Sequence, residues 1–91
     1  EVIYWQFLNL APAESLTIAN LFSQVSGYTV SGGPAEAAYA GYKDWFIQDF
    51  RRPGYTIEVG RGVNPLPITQ FNRIYSQNEE IMLLGAVVTI P

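Results

Sequence analysis

Tyr55-Thr56-Ile57-Glu58-Val59-Gly60 alternates without a break, with Tyr55, Ile57 and Val59 on one side and Thr56 and Glu58 on the other. A period of two closed by a glycine is the pattern of a half-solvated β-strand. Downstream, Gly60, Gly62, Asn64, Pro65 and Pro67 make a turn, after which Ile68, Phe71, Ile74, Tyr75, Asn78, Ile81 and Met82 keep helical spacing to about residue 84. A long C-terminal helix is predicted. From Ile81 to Ile90 the chain is apolar on every side, which a solvated terminal helix tolerates only when buried against something larger.

Upstream, Tyr42 to Phe50 predicts a short helix ended by Arg51-Arg52-Pro53-Gly54. Gly27 to Gly41 is rich in Gly, Ser, Ala and Pro, lacks either period, and is expected as a long loop, which in a small domain either serves a binding or catalytic role or argues against the assignment itself. Pro12 suits a first helical position and Glu14 a first turn, while Ile18, Leu21, Phe22 and Val25 repeat at helical spacing before Gly27. Residues 12 to 26 are therefore expected as an amphipathic helix. Val2 to Phe7 is short, β-branched and aromatic, and apolar on both faces, as in a strand interior to a sheet. The fold class is α/β.

Composition excludes much chemistry. A chain of 91 residues allows one small domain, and such a domain buries only about 60% of its unfolded surface. With no cysteine and no histidine, self-contained Ser-His-Asp, Cys-His and HExxH sites are impossible. The net charge is −3, and the five cations Lys43, Arg51, Arg52, Arg61 and Arg73 form no long run, so nucleic acid is not an expected partner. The apolar run at the C-terminus is roughly half of what a bilayer-spanning helix needs, so no membrane partner is expected. The start at Glu1-Val2-Ile3-Tyr4-Trp5 has neither an initiator methionine nor the features of a signal peptide, and reads as a chain entered midway.

Few residues can carry chemistry. Glu58 stands near the end of a strand, where open α/β sheets place ligands, and can serve as a general base. The alternative is a polar outward position, and spacing alone favours it. Pairing Asp44 with Glu58 as glycosidase carboxylates has no support without a separation. The aromatics offer a sugar-stacking face, yet at this frequency they are expected to fill a core. Arg51-Arg52 can clamp a carboxylate but more simply caps a helix end. Gly60-Arg61-Gly62 and Ser31-Gly32-Gly33 read as turn glycines, without the context or the lysine of a phosphate loop.

Gly41-Tyr42-Lys43-Asp44-Trp45, Tyr55-Thr56-Ile57-Glu58-Val59, the proline-containing turn and the long terminal helix together resemble the C-terminal third of zinc metallocarboxypeptidases of the carboxypeptidase A type. Within that family they are most similar to the bacterial γ-D-glutamyl-L-diamino acid endopeptidases, which cut peptidoglycan stem peptides. The resemblance implies a C-terminal segment, residues 1 to 91, of an α/β/α sandwich with a carboxypeptidase-like mixed sheet, incomplete as a separate chain. It makes Glu58 the catalytic glutamate, taking a proton from zinc-bound water and delivering it to the leaving amine. It sets Lys43 in the floor of the pocket for the residue after the scissile bond, where an ammonium favours a substrate with an extra carboxylate, such as meso-diaminopimelate.

The chain departs from the family pattern at the substrate-binding tyrosine: Tyr28 precedes a Ser-Gly-Gly but stands too far from Asp44, Tyr39 is nearer than the family spacing, and Tyr39 is the slightly favoured candidate. The His-x-x-Glu pair and the later histidine that bind zinc in the family have no counterpart, so the zinc ligands are expected upstream, no metal is expected to bind here, and the chain alone is expected to be inactive. The alternative is a non-catalytic module that docks cell-wall peptides through Lys43 and the aromatic loop. Unpaired strand edges and exposed apolar helix faces also make self-association an expected risk.

Overall fold

The structure is a computed structural model that describes residues 1–33 and 41–88. Its elements run β1 (Val2–Tyr4), α1 (Glu14–Ser26), β2 (Thr29–Ser31), α2 (Tyr42–Phe50), β3 (Thr56–Glu58), a 3₁₀ turn (Ile68–Gln70) and α3 (Phe71–Val88). The strands form one mixed sheet in the order β2-β1-β3, with β1 parallel to β2 and antiparallel to β3. This is an α/β fold, and β1 is interior to the sheet as its sequence predicts, although it ends at Tyr4 and not at Phe7.

The register sorts the sheet into cross-strand rows. Val30, Ile3 and Ile57 form the middle row and turn toward the helices, where Ile3 is fully buried in a core with Ala19, Phe22, Tyr28 and Ile81. The flanking rows, Thr29-Val2-Glu58 and Ser31-Tyr4-Thr56, point the other way because side chains alternate along a strand. Both helices that build the core, α1 and α3, thus lie on the Ile3 side. Tyr55 belongs to the same side: its ring meets Phe22 edge-on at 5.2 Å and its hydroxyl donates to the Ser15 carbonyl at 2.9 Å. Burial pushes the Tyr55 hydroxyl well above its ordinary pKa.

Several expectations are corrected. The supposed loop 27–41 contains β2, a strand of three residues whose partner lies across the α1 crossover, so its stabilisation comes from long-range pairing that no local period signals. The buried stripe of α1 is Ser15, Ala19, Phe22 and Ser26, with Val25 exposed, because small residues let the helix sit close to its neighbours. Phe22 packs near Gly85 of α3, where even an added Cβ would lie 3.7 Å from its ring. Tyr42, Trp45 and Phe50 of α2 do not fill the core; they are exposed and pack on one another and on Phe46. The α3 helix begins at Phe71 after its 3₁₀ turn and exposes Met82, Leu83 and Val87 as its apolar C-terminal stretch suggests. No helix among the described residues is long and apolar enough to cross a membrane.

Ile81 is 4% exposed and Met82 61%. In the 91-residue chain, Ile81→Ala is expected to lower unfolding free energy by roughly 2–5 kcal/mol, and Met82→Ala by well under about 1 kcal/mol. Denaturant titration of both variants checks this, and equal losses would mean that the outer face of α3 is covered as well.

Candidate active site

Glu58 is the last residue of β3 and is solvent-exposed. Its row neighbours Val2 and Thr29 and the next row, Tyr4, Ser31 and Thr56, share its face of the sheet, opposite α1 and α3. Val2 and Tyr4 on the middle strand are half-buried, so the carboxylate stands where an apolar strip meets water. Among the described residues no hydrogen bond or ion pair holds its oxygens.

The exit from β3 is tightly built. Gly60 has φ +77°, and a Cβ there would run into Leu66 and come within 3.2 Å of Gln70 and Ile74. Only glycine combines that φ with that lack of room. Beyond it, the Arg61 guanidinium donates to Glu1 Oε1 at 3.0 Å, while Arg73 of α3 donates to the other Glu1 oxygen. The Arg73 hydrogen bond, with Arg61 adding to it, holds the Glu1 carboxyl below the usual carboxylate range against the opposing effect of burial.

Lys43 lies elsewhere, on the first turn of α2, and no ion pair joins it to Glu58. It is 7% exposed, and its ammonium donates to the Gln6 carbonyl at 2.6 Å and to Asp44 Oδ1 at 2.5 Å. Gln6 in turn accepts from the Phe7 and Ala11 backbone N–H groups, which shapes the bend after β1. An ammonium has three donors, so two of the three are engaged. Asp44 is spent on this contact, which removes it as a partner of Glu58. The Arg51 guanidinium caps α2, donating to the Gln48 and Ile47 carbonyls.

Of the two tyrosines, Tyr39 lies outside the described residues. Tyr28 is inside the core, 1% exposed, with its hydroxyl accepting from Asn78 Nδ2 at 3.0 Å and its backbone clasped by Ser23 and Ser26. That hydroxyl faces the interior, and burial raises its pKa. A substrate contact from Tyr28 does not fit this position; its place between two helix-end serines is that of a core residue. The Glu1, Arg61, Arg73 and Gln70 contacts carried no periodic sequence signal, because they join residues 9 to 72 positions apart. Among the described residues, no group of three His, Cys, Asp or Glu side chains could hold a metal ion.

The chain is similar to γ-D-glutamyl-L-diamino acid endopeptidase 1 of Lysinibacillus sphaericus. The two are 57% identical over 86 residues, which is 92% of this chain and 21% of that protein. The uncharacterized protein YqgT of Bacillus subtilis (strain 168) is 42% identical over 82 residues, 90% of this chain and 22% of its own length. The chain thus spans about a fifth of the length of these curated relatives. No family model matches it, and no solved structure does.

Lys43→Met leaves the Asp44 carboxylate buried without its partner and is expected to cost roughly 3–5 kcal/mol of stability. Adding Asp44→Leu should recover part of that loss. A double-mutant cycle followed by denaturant unfolding measures it, and a lone Lys43→Met with no cost would remove the ion pair as an anchor of α2.

Proposed function

We propose that these 91 residues are part of a zinc-dependent peptidase that hydrolyses peptidoglycan stem peptides at a γ-D-glutamyl-diamino acid bond, with Glu58 as its general base. The observation that carries the peptidase reading is the 57% identity, across 92% of the chain, to a relative named as a γ-D-glutamyl-L-diamino acid endopeptidase. The exposed carboxylate at the end of β3 supports it in physical terms, since a base needs access to the proton it removes. Glu58 takes a proton from the attacking water and returns it to the departing amine nitrogen, so a single carboxylate serves both halves of the hydrolysis. Zinc does not fit the described residues by themselves. In this reading its ligands lie upstream, it would supply Lewis-acid polarisation from there, and the chain alone does not catalyse.

Lys43 supplies the specificity. Its third N–H is left for the extra carboxylate of a diaminopimelate residue, while Gln6 and Asp44 hold the ammonium in place. An ammonium so held pays little entropy on meeting that carboxylate.

In the whole protein, Glu58→Gln is expected to lower kcat/KM by about 10²–10⁴. The 91-residue chain alone should neither cleave a γ-D-Glu-diaminopimelate peptide nor bind zinc tightly at one equivalent. Cleavage by that chain, surviving Glu58→Gln, would refute the reading. For Lys43, the quantity to measure is the ratio of kcat/KM for diaminopimelate over lysine peptides, because a ratio cancels any loss of folded enzyme. Lys43→Met should reduce that ratio by about 10- to 100-fold, whereas an unchanged ratio removes the proposed carboxylate partner.

A further inference from the structure

Because no side-chain contact among the described residues anchors the Glu58 carboxylate, its place is set by the backbone on either side. Upstream there are only three residues of ladder against β1. Downstream the chain passes through Gly60, whose carbonyl accepts from the Glu1 amino group at 3.4 Å, into Arg61, whose backbone is held by one side chain. The Gln70 amide closes two hydrogen bonds on a single residue: the Arg61 N–H donates to Oε1 at 2.9 Å, and Nε2 donates to the Arg61 carbonyl at 2.8 Å. The Arg61 guanidinium is tied to Glu1 just before β1, and Glu1 to Arg73 on the first turn of α3. Leu66, Gln70 and Ile74 close over Gly60 and leave it no room to shift.

We propose that Gln70 is a positioning residue for Glu58, its amide locking the exit of β3 through the Arg61 backbone and so fixing where the carboxylate stands. This rests on Glu58 being the base of the proposed reaction. The lever is short: Arg61 follows Glu58 by three positions, and a ladder of three residues cannot absorb a rocking turn. Gln70 suits the task because its amide matches a backbone N–H and C=O at once, which a lysine or a glutamate cannot do. Both of its described side-chain hydrogen bonds go to the Arg61 backbone, so it acts through the chain it holds.

The test compares Gln70→Met, which keeps length and removes both bonds, and Gln70→Glu, which keeps only the acceptor, in the whole protein that carries these residues. Gln70→Met should lower kcat by about 10- to 100-fold with KM within about twofold, and should displace the acid limb of the kcat/KM profile. Gln70→Glu should fall between Gln70→Met and the parent. A parental kcat or an unmoved acid limb in Gln70→Met overturns the positioning role; should that variant fail to fold, the same readouts on Gln70→Glu decide. Glu58→Gln run alongside separates the two claims. If it retains activity, the base assignment itself fails; if it is inactive while Gln70→Met behaves as the parent, only the role of Gln70 fails.

Discussion

Ile3 at the centre of β1 fixes the parity of the whole sheet. It is fully buried, and its strand pairs on both sides, so the same residue that turns inward commits Val30 and Ile57 to the core row. Everything on the other face follows. A slip of one residue between β1 and β3 would carry Glu58 into the helix-covered side and bring Ile57 out to solvent, at the cost of an apolar burial and a buried carboxylate. The position of the candidate base is therefore a consequence of hydrophobic burial at the row beside it, with no polar contact of its own required.

Sequence periodicity reads well where one element buries one face. Tyr55 to Gly60 announces β3 by strict alternation, and Pro12, Glu14 and Gly27 bracket α1 through terminal chemistry that is local by nature. It reads poorly where a partner distant in the chain does the stabilising. β2 has one inward residue, Val30, between two glycine breakers, and only the pairing with β1 makes it a strand. The aromatics of α2 look like core material, yet the helix is anchored by Lys43, Asp44 and Ile47, and its rings cluster outside. For the site, Glu58 was legible as an outward residue at a strand end. The anchors around it, Gln70 and the Glu1-Arg61-Arg73 bridge, join residues 9 to 72 positions apart and leave no pattern to read.

The two residues given chemical roles are held by opposite means. Lys43 is fixed through its own side chain, wedged between a backbone carbonyl and a carboxylate in a buried setting where losing either partner is expensive. Glu58 is placed through its backbone, and among the described residues no hydrogen bond or ion pair holds its carboxylate. The contrast suits the roles proposed for them: an ammonium that selects a substrate carboxylate would work by standing still, whereas a base that collects a proton at one atom and delivers it at another would need rotamer freedom within a fixed reach.

That division also says where precision has to be spent. In the proposed role the reach of the carboxylate has its origin at the Glu58 Cα, so an error in that origin would pass undiminished to its oxygens. A side-chain network around the oxygens would correct such errors but would also restrain that reach. Building the restraint into the turn avoids the conflict: Gly60 supplies a backbone conformation other residues resist, and the residues closing over it leave one way to fill the space. The half-buried Val2 and Tyr4 complete the effect by presenting an apolar strip beside the carboxylate, with water on the far side. A main chain held at the turn and a carboxylate without a polar partner among the described residues are then compatible demands on the same three-residue strand.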